Sequence, residues 1–262
     1  MWRETVKYAI FVAALCASAF VAAVTPAKGL KIAINAEYGM PGSQAAQSIE
    51  LGVALAIAEI NARGGVLNGH PLQLTRRDDR GLPARSIDNM RELAADPDVL
   101  AVFCGRFSPV ALELIPLTSE LGMILLNPWA AADGIANNDQ KPNFVFRLSL
   151  TDTWAIEAMM EHARKRNLKR LTVLLPNTGW GRSSMAAIER YIKARPGIKV
   201  EASWYNWGDS DFSNALLLAK RSRSDALLMV ANETEGKHVM ELIQRSPPAE
   251  RLPVIAHWGI AA

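Results

Sequence analysis

The sequence predicts an α/β protein of two domains, each a parallel sheet covered on both faces by helices. Three observations predict it. Short apolar runs alternate with segments whose apolar residues recur at helical spacing, along nearly the whole chain. The chain has 262 residues, half of them apolar, enough to bury two cores rather than one. The loops that follow the apolar runs are rich in Gly, Asn, Ser and Trp, and they lie at the strand ends where parallel sheets bind ligands.

Residues 1–27 stand apart from this pattern. Arg3 and Lys7 precede an apolar run from Tyr8 to Val24, and Thr25-Pro26-Ala27 supplies small residues at cleavage positions. This is the layout of a secretory signal peptide, with the mature chain starting near Lys28. The run is about 17 residues, the lower limit for crossing a bilayer, so an uncleaved anchor is the alternative. Cys16 follows Leu15 rather than a small residue, which argues against lipid attachment. Export leaves Cys104 as the sole cysteine, so no disulfide within the chain is expected. Lying in an apolar run, Cys104 is expected to act as a small buried hydrophobe.

The first domain, residues 28–147, begins with a strand from Leu30 to Asn35. Ile49, Val53, Ala56, Ile57 and Ile60 then mark one face of a helix that Asn61-Ala62-Arg63-Gly64-Gly65 stops. Leu72 to Leu74 reads as a strand and Pro83 to Leu93 as a helix. Leu100 to Cys104 is a strand buried on both faces, ended by Gly105. Ser108 is expected to be the N-cap of the next helix with Pro109 in its first turn, and Val110, Leu114, Leu117 and Leu121 form its apolar face. Such a turn aims the amides of Val110 and Ala111, the Ser108 hydroxyl and the positive end of the helix dipole at one point. A carboxylate fits there; a capped βα turn with no ligand uses the same residues. Met123 to Leu126 and Phe144 to Arg147 complete the domain as strands.

The second domain, residues 148–256, repeats the alternation. Helices are predicted at Trp154 to Ala163, Ser183 to Ala194, Phe212 to Lys220 and Val239 to Ile243. Strands are predicted at Leu171 to Leu175, Lys199 to Trp204, Ala226 to Val230 and Val254 to Ala256. The one basic cluster, Arg164, Lys165, Arg166, Lys169 and Arg170, falls where a helix ends, and reads as a solvated helix terminus rather than a binding patch. Asp209 and Asp211 read as caps of the helix that follows them.

Several functions are excluded or disfavoured. A net charge of +3 with scattered basic residues implies no nucleic-acid surface. No Gly-rich loop ends in Lys-Ser or Lys-Thr, so there is no phosphate loop. Gly179 and Gly181 follow a strand, but Ser184 stands where a dinucleotide fingerprint has its third glycine. Ser183 and Ser184 lack a Gly-x-Ser-x-Gly elbow. None of the four histidines has a Cys, Asp or Glu at ligand spacing, so no metal or cofactor is expected and no catalytic residue is assigned.

Five stretches in this order carry a family resemblance: 59–81, 103–134, 143–149, 177–184 and 256–259, or EINARGGVLNGHPLQLTRRDDRG, FCGRFSPVALELIPLTSELGMILLNPWAAADG, NFVFRLS, NTGWGRSS and AHWG. Together they resemble the periplasmic solute-binding proteins of branched-chain amino acid ABC transporters, the type I periplasmic-binding fold. The resemblance spans Lys31 to Gly259. It implies two Rossmann-like lobes that close on a small solute, an amino acid or amide, and deliver it to a membrane permease, with no catalysis. It implies that the first lobe holds the ligand through Arg106, Phe107 and Ser108 and through Trp129, Ala130 and Ala131. The family's usual Ser and Thr donors are fewer here. In the second lobe it implies Trp180 over the apolar part and Glu233 or Glu235 on an ammonium group; alternatively, Trp180 packs between lobes and the glutamates favour a helix start. Residues 257–262 match the beginning of a crossover back to the first lobe, so the fold is expected to be incomplete at the C-terminus. A sensory receptor of the same fold, anchored by residues 8–24, and a non-binding remnant are the alternatives. A cytoplasmic repressor is disfavoured, because an apolar signal rather than a helix-turn-helix precedes Lys31.

Overall fold

The computed structural model describes residues 28–40 and 44–261. The expected signal segment lies outside them, as do residues 41–43 of the first loop. Among the described residues, no helix is long and apolar enough to cross a membrane.

The first sheet consists of β1 (Leu30–Ala36), β2 (Leu72–Asp78), β3 (Val99–Cys104), β4 (Ile124–Asn127) and β5 (Val145–Arg147), in the order β2-β1-β3-β4-β5. The second consists of β6 (Arg170–Pro176), β7 (Lys199–Tyr205), β8 (Ala226–Met229) and β9 (Val254–Ala256), in the order β7-β6-β8-β9. All pairings are parallel, as the alternating pattern predicts. The central strands are buried on both faces, with Val102, Leu125, Val173 and Leu228 fully inaccessible. Each order reverses once, between β1 and β3 in the first sheet and between β6 and β8 in the second. Crevices open at those reversals, outside the carboxyl ends of the strands.

The helices are α1 (Ala45–Ala62), α2 (Pro83–Ala94), α3 (Ser108–Leu121), α4 (Asp152–Lys165), α5 (Gly179–Ala194), α6 (Ser213–Arg221) and α7 (Glu233–Arg245). Two of them start earlier than apolar periodicity predicts. The first turn of α5 is Gly179-Trp180-Gly181-Arg182, and that of α7 is Glu233-Thr234-Glu235-Gly236. Neither turn has an apolar period, yet both are helical, and the two acids of α7 complement its positive end. Trp180, Glu233 and Glu235 therefore stand on helices and not in loops.

Three other expectations are resolved. Cys104 is fully buried, and burial pushes its thiol up to about 12, which fits an inert core residue. Arg164 and Arg170 are exposed and pair with Glu161 and Asp225, as at a solvated helix end. Asp209 is not a helix cap: it accepts from the amide of Asn206 and closes a turn. Asp211 accepts from the amide and hydroxyl of Ser213 two residues on, while Phe212 takes the cap position.

Candidate functional site

Glu37, at the end of β1, and Gly105, at the end of β3, face each other across the first reversal. A Cβ on Gly105 would collide with Glu37 Oε2, so only glycine lets that carboxylate sit between the strands. Glu37 is buried and accepts from the Arg106 amide at 3.3 Å. Its carboxylate also lies 3.9 Å from Arg106 Nε. Behind it, Asp79 accepts from the Gly81 amide and the Ser86 hydroxyl, and burial together with the charge of Glu37 raises its pKa to about 6.

Arg106 is thus a buried cation held against a buried acid. Its guanidinium reaches the second lobe, where Nη1 and Nη2 donate to Glu233 at 2.6 and 2.8 Å. The Arg106 side chain is 5% exposed and that of Glu233 is 21% exposed. This bidentate pair runs from the reversal of one sheet to that of the other. Beside it, Phe107 packs on Trp207 with ring centroids 4.8 Å apart. The lobes also meet where the Asp133 amide donates to Ser183 Oγ and Arg190 donates to the Asp133 carboxylate.

Ser108 does not do what its position before proline predicts. Helix α3 begins at Ser108 itself, with Phe107 extended at the cap position and no side-chain capping bond. The Ser108 hydroxyl instead accepts from the amides of Ala131 and Ala132, both at 3.1 Å, and ties the loop after β3 to the loop after β4. Nor is the Ala111 amide free for an anion, because it donates to the Phe107 carbonyl. Arg147, at the end of β5, donates to the carbonyls of Ala130, Ala131, Ala132 and Leu150, and Asn127 donates to Ala130. The turn at 128–132 is therefore held by four surrounding side chains, Ser108, Asn127, Arg147 and Ser149, which explains how Ala130 and Ala131 can stand where side-chain donors are expected.

Most of the predicted residues converge on one recess. From the first lobe it is lined by Arg106, Phe107, Ser108, Trp129 and Ala131. From the second come Trp180, Trp207, Asn232, His257, Trp258 and Gly259. Glu233 joins it through Arg106. Ala130 and Glu235 are not among the lining residues: the Ala130 carbonyl is bound by Asn127, Arg147 and Ser149, and Glu235 accepts from the Gly208 amide. Trp180 both lines the recess and packs between lobes, its indole N–H donating to the buried Asp152 at 3.1 Å. The enclosed space is about 10 Å³, room for one water. A larger groove of about 730 Å³ lies between α6 and α7, away from both reversals, and lacks the converging charges of the recess.

Sequence reasoning missed Glu37, Arg147, Trp207, Asn232, His257 and Trp258 as contributors. A signal existed for three of them, since Arg147 lies in the NFVFRLS stretch and His257 and Trp258 in the AHWG stretch that carry the family resemblance. For Glu37 the only local sign is a charge beside the end of an apolar strand.

A family model described as periplasmic binding protein matches residues 30–240. A periplasmic binding protein type 1 from Bordetella pertussis is 22% identical and superposes with a TM-score of 0.80, over 89% of this chain and 63% of that one. A leucine-binding protein from Thermotoga maritima is 20% identical with a TM-score of 0.78, over 88% of this chain and 64% of that one. A solute-binding protein from R. palustris, in complex with 4-hydroxybenzoate, is 19% identical with a TM-score of 0.76, over 89% of this chain and 62% of that one. Among curated proteins, gamma-aminobutyric acid type B receptor subunit 1 of Mus musculus is 23% identical over 204 residues, 77% of this chain and 20% of that receptor. The chain thus spans less than two thirds of the solved structures it matches and a fifth of this receptor. With a family model covering most of its length and the type I fold in both sheets, the chain belongs to the periplasmic binding protein family.

Proposed function

We propose that this chain is the solute-binding component of an ABC importer for amino acids, amides or related small solutes. In this reading it is exported to the periplasm and hands its ligand to a membrane permease, and lobes 28–147 and 148–256 close on the ligand between them. The observation that carries it is the Arg106–Glu233 pair, which spans the cleft at the reversal points of both sheets. Such a pair has the polarity of a zwitterion's binding site. A carboxylate takes Glu233's place on Arg106, and an ammonium group takes Arg106's place on Glu233. Family membership supports the coarser statement, and the similarity to the leucine-binding protein from Thermotoga maritima supports the solute class.

Mass spectrometry of ligand carried through native purification, followed by melting against amino acids, amides and urea, tests the reading. A ligand at a hundred times its Kd stabilises by about 2.7 kcal/mol, and Arg106→Lys, which keeps the charge but loses the fork, is expected to weaken it. No co-purified solute and no shift with any compound would overturn the proposal.

A further inference from the structure

The recess carries a second kind of information, in the shape of its walls. The chain has seven tryptophans, and four of them, Trp129, Trp180, Trp207 and Trp258, line this one recess. Phe107 and His257 add two more rings. The lining includes no Leu, Ile, Val or Met, the residues that would mould around a branched aliphatic group. The rings lie against one another: Phe107 against Trp207 at 4.8 Å, Trp180 against His257 at 5.1 Å, and His257 against Trp258 at 3.8 Å.

The buried polar atoms of the lining that lack a partner are Arg106 Nε, Trp207 Nε1 and the two ring nitrogens of His257. Arg106 Nε nonetheless faces the Glu37 carboxylate at 3.9 Å and His257 Nε2 faces Asp152 Oδ1 at 3.6 Å, so of these the Trp207 N–H, a donor only, stands without an acceptor. The unpartnered acceptor nearby, Asp152 Oδ2, belongs to a residue outside the lining. A donor left over in a buried recess calls for a ligand that brings an acceptor.

We infer that the ligand class is carboxylates bearing a flat aromatic ring. This rests on the solute-receptor reading above and names its substrate. The carboxylate replaces that of Glu233 on the Arg106 fork. Glu233 is partly exposed at the head of α7 and can swing to solvent, or it can hold an ammonium group where the ligand has one. The ring enters between Phe107 and Trp207. The two rings are tilted by 55°, so for a ring to stack on both faces they must turn toward parallel and their centroids must part to about 7 Å, twice the roughly 3.5 Å contact distance between carbons. A flat ring thus needs an opening of about 2 Å together with a rotation of Phe107 or Trp207, and the Trp207 N–H lies beside it for a ring hydroxyl or the carboxylate.

Two ligand sources share this chemistry, aromatic acids without an amine and aromatic amino acids. Melting of the purified chain is therefore measured with benzoate, 4-hydroxybenzoate, phenylalanine, tryptophan, leucine and isoleucine. A rise of about 5–10 °C at a hundredfold excess over Kd is expected for a ring-bearing acid and not for leucine or isoleucine. Which arm responds, benzoates or aromatic amino acids, separates the two sources. Trp207→Phe keeps the ring and removes the N–H, whereas Trp207→Leu removes both. A loss of affinity tenfold or more in Trp207→Leu, smaller in Trp207→Phe, supports the stack. Leucine or isoleucine binding more tightly than any ring acid, and losing that binding in Arg106→Lys, would overturn the aromatic class and leave the receptor reading standing. Silence across this panel would overturn the aromatic class, and silence of the amides and urea as well would overturn the receptor reading with it.

Discussion

The two walls of the cleft are built differently. On the first lobe, Arg106 is buried against Glu37, Ser108 holds two amides of the facing loop, and Arg147 holds four carbonyls. On the second, Glu233 is a partly exposed acid at a helix head, and Trp207 sits in a turn of exposed residues closed by Asp209. The difference teaches which side is prepared in advance. A wall whose polar groups are fixed by buried partners loses little entropy when a ligand arrives, while a partly exposed wall can adapt and can release the ligand. On that ground the wall around Arg106 and Ser108 is the more nearly fixed, and Glu233 and Trp207 are the parts of the facing wall with room to adapt.

The largest effect is expected from cutting the cross-cleft pair on its buried side. Arg106→Gln removes the buried guanidinium that faces both Glu37 and Glu233, breaking both ion pairs at once, and should cost about 3–5 kcal/mol. Glu233→Gln leaves Arg106 beside Glu37 and should cost only about 1 kcal/mol. Urea unfolding of both variants measures the ratio, and equal losses would erase the asymmetry between the walls.

Ser108→Ala comes next. It strips the acceptor from two buried amides, so a loss of about 2–3 kcal/mol is expected, more than the roughly 1 kcal/mol typical of a helix cap. A loss below that cap value would mean that the loop after β4 holds itself.

Asp79 sharpens the comparison through pH. Its carboxyl stays protonated in the folded protein up to about 6, against an ordinary value of 3.8. Because the folded pKa is raised, the folded state binds more protons than the unfolded chain between these values. Stability should therefore fall as pH rises from about 4 to 6, by on the order of 2 kcal/mol. Asp79→Asn should flatten that slope in melting curves recorded across the window. An unchanged slope would assign it to another group.

The smallest effect is expected on the second lobe. Ser183 accepts one amide, that of Asp133, so Ser183→Ala should cost about 1 kcal/mol, well below its counterpart Ser108. Were the two serines to cost the same, the second wall would be as rigid as the first.

Much of this was legible before any coordinates. The alternation of strands and helices and the inert character of Cys104 follow from periodicity and composition. Family membership followed from five loose motifs in order. Errors fell where periodicity is silent, in the polar first turns of α5 and α7. Ser108 misled because Ser-Pro before an apolar face is a sound capping signal. Here the cap position went to Phe107, and the hydroxyl found better partners in a loop 23 residues away.

What the sequence by itself determined is the layered α/β architecture, since hydrophobic spacing acts within each short segment and needs no knowledge of the rest. The cleft was decided only by tertiary structure. Arg106 and Glu233 stand 127 residues apart, and neither carries a local mark of its partner. The four tryptophans likewise come from loops and helix starts spread over residues 129–258. Their convergence depends on two strand orders that each reverse once, and strand order is set by how whole sheets bury their faces, a property of the assembled chain.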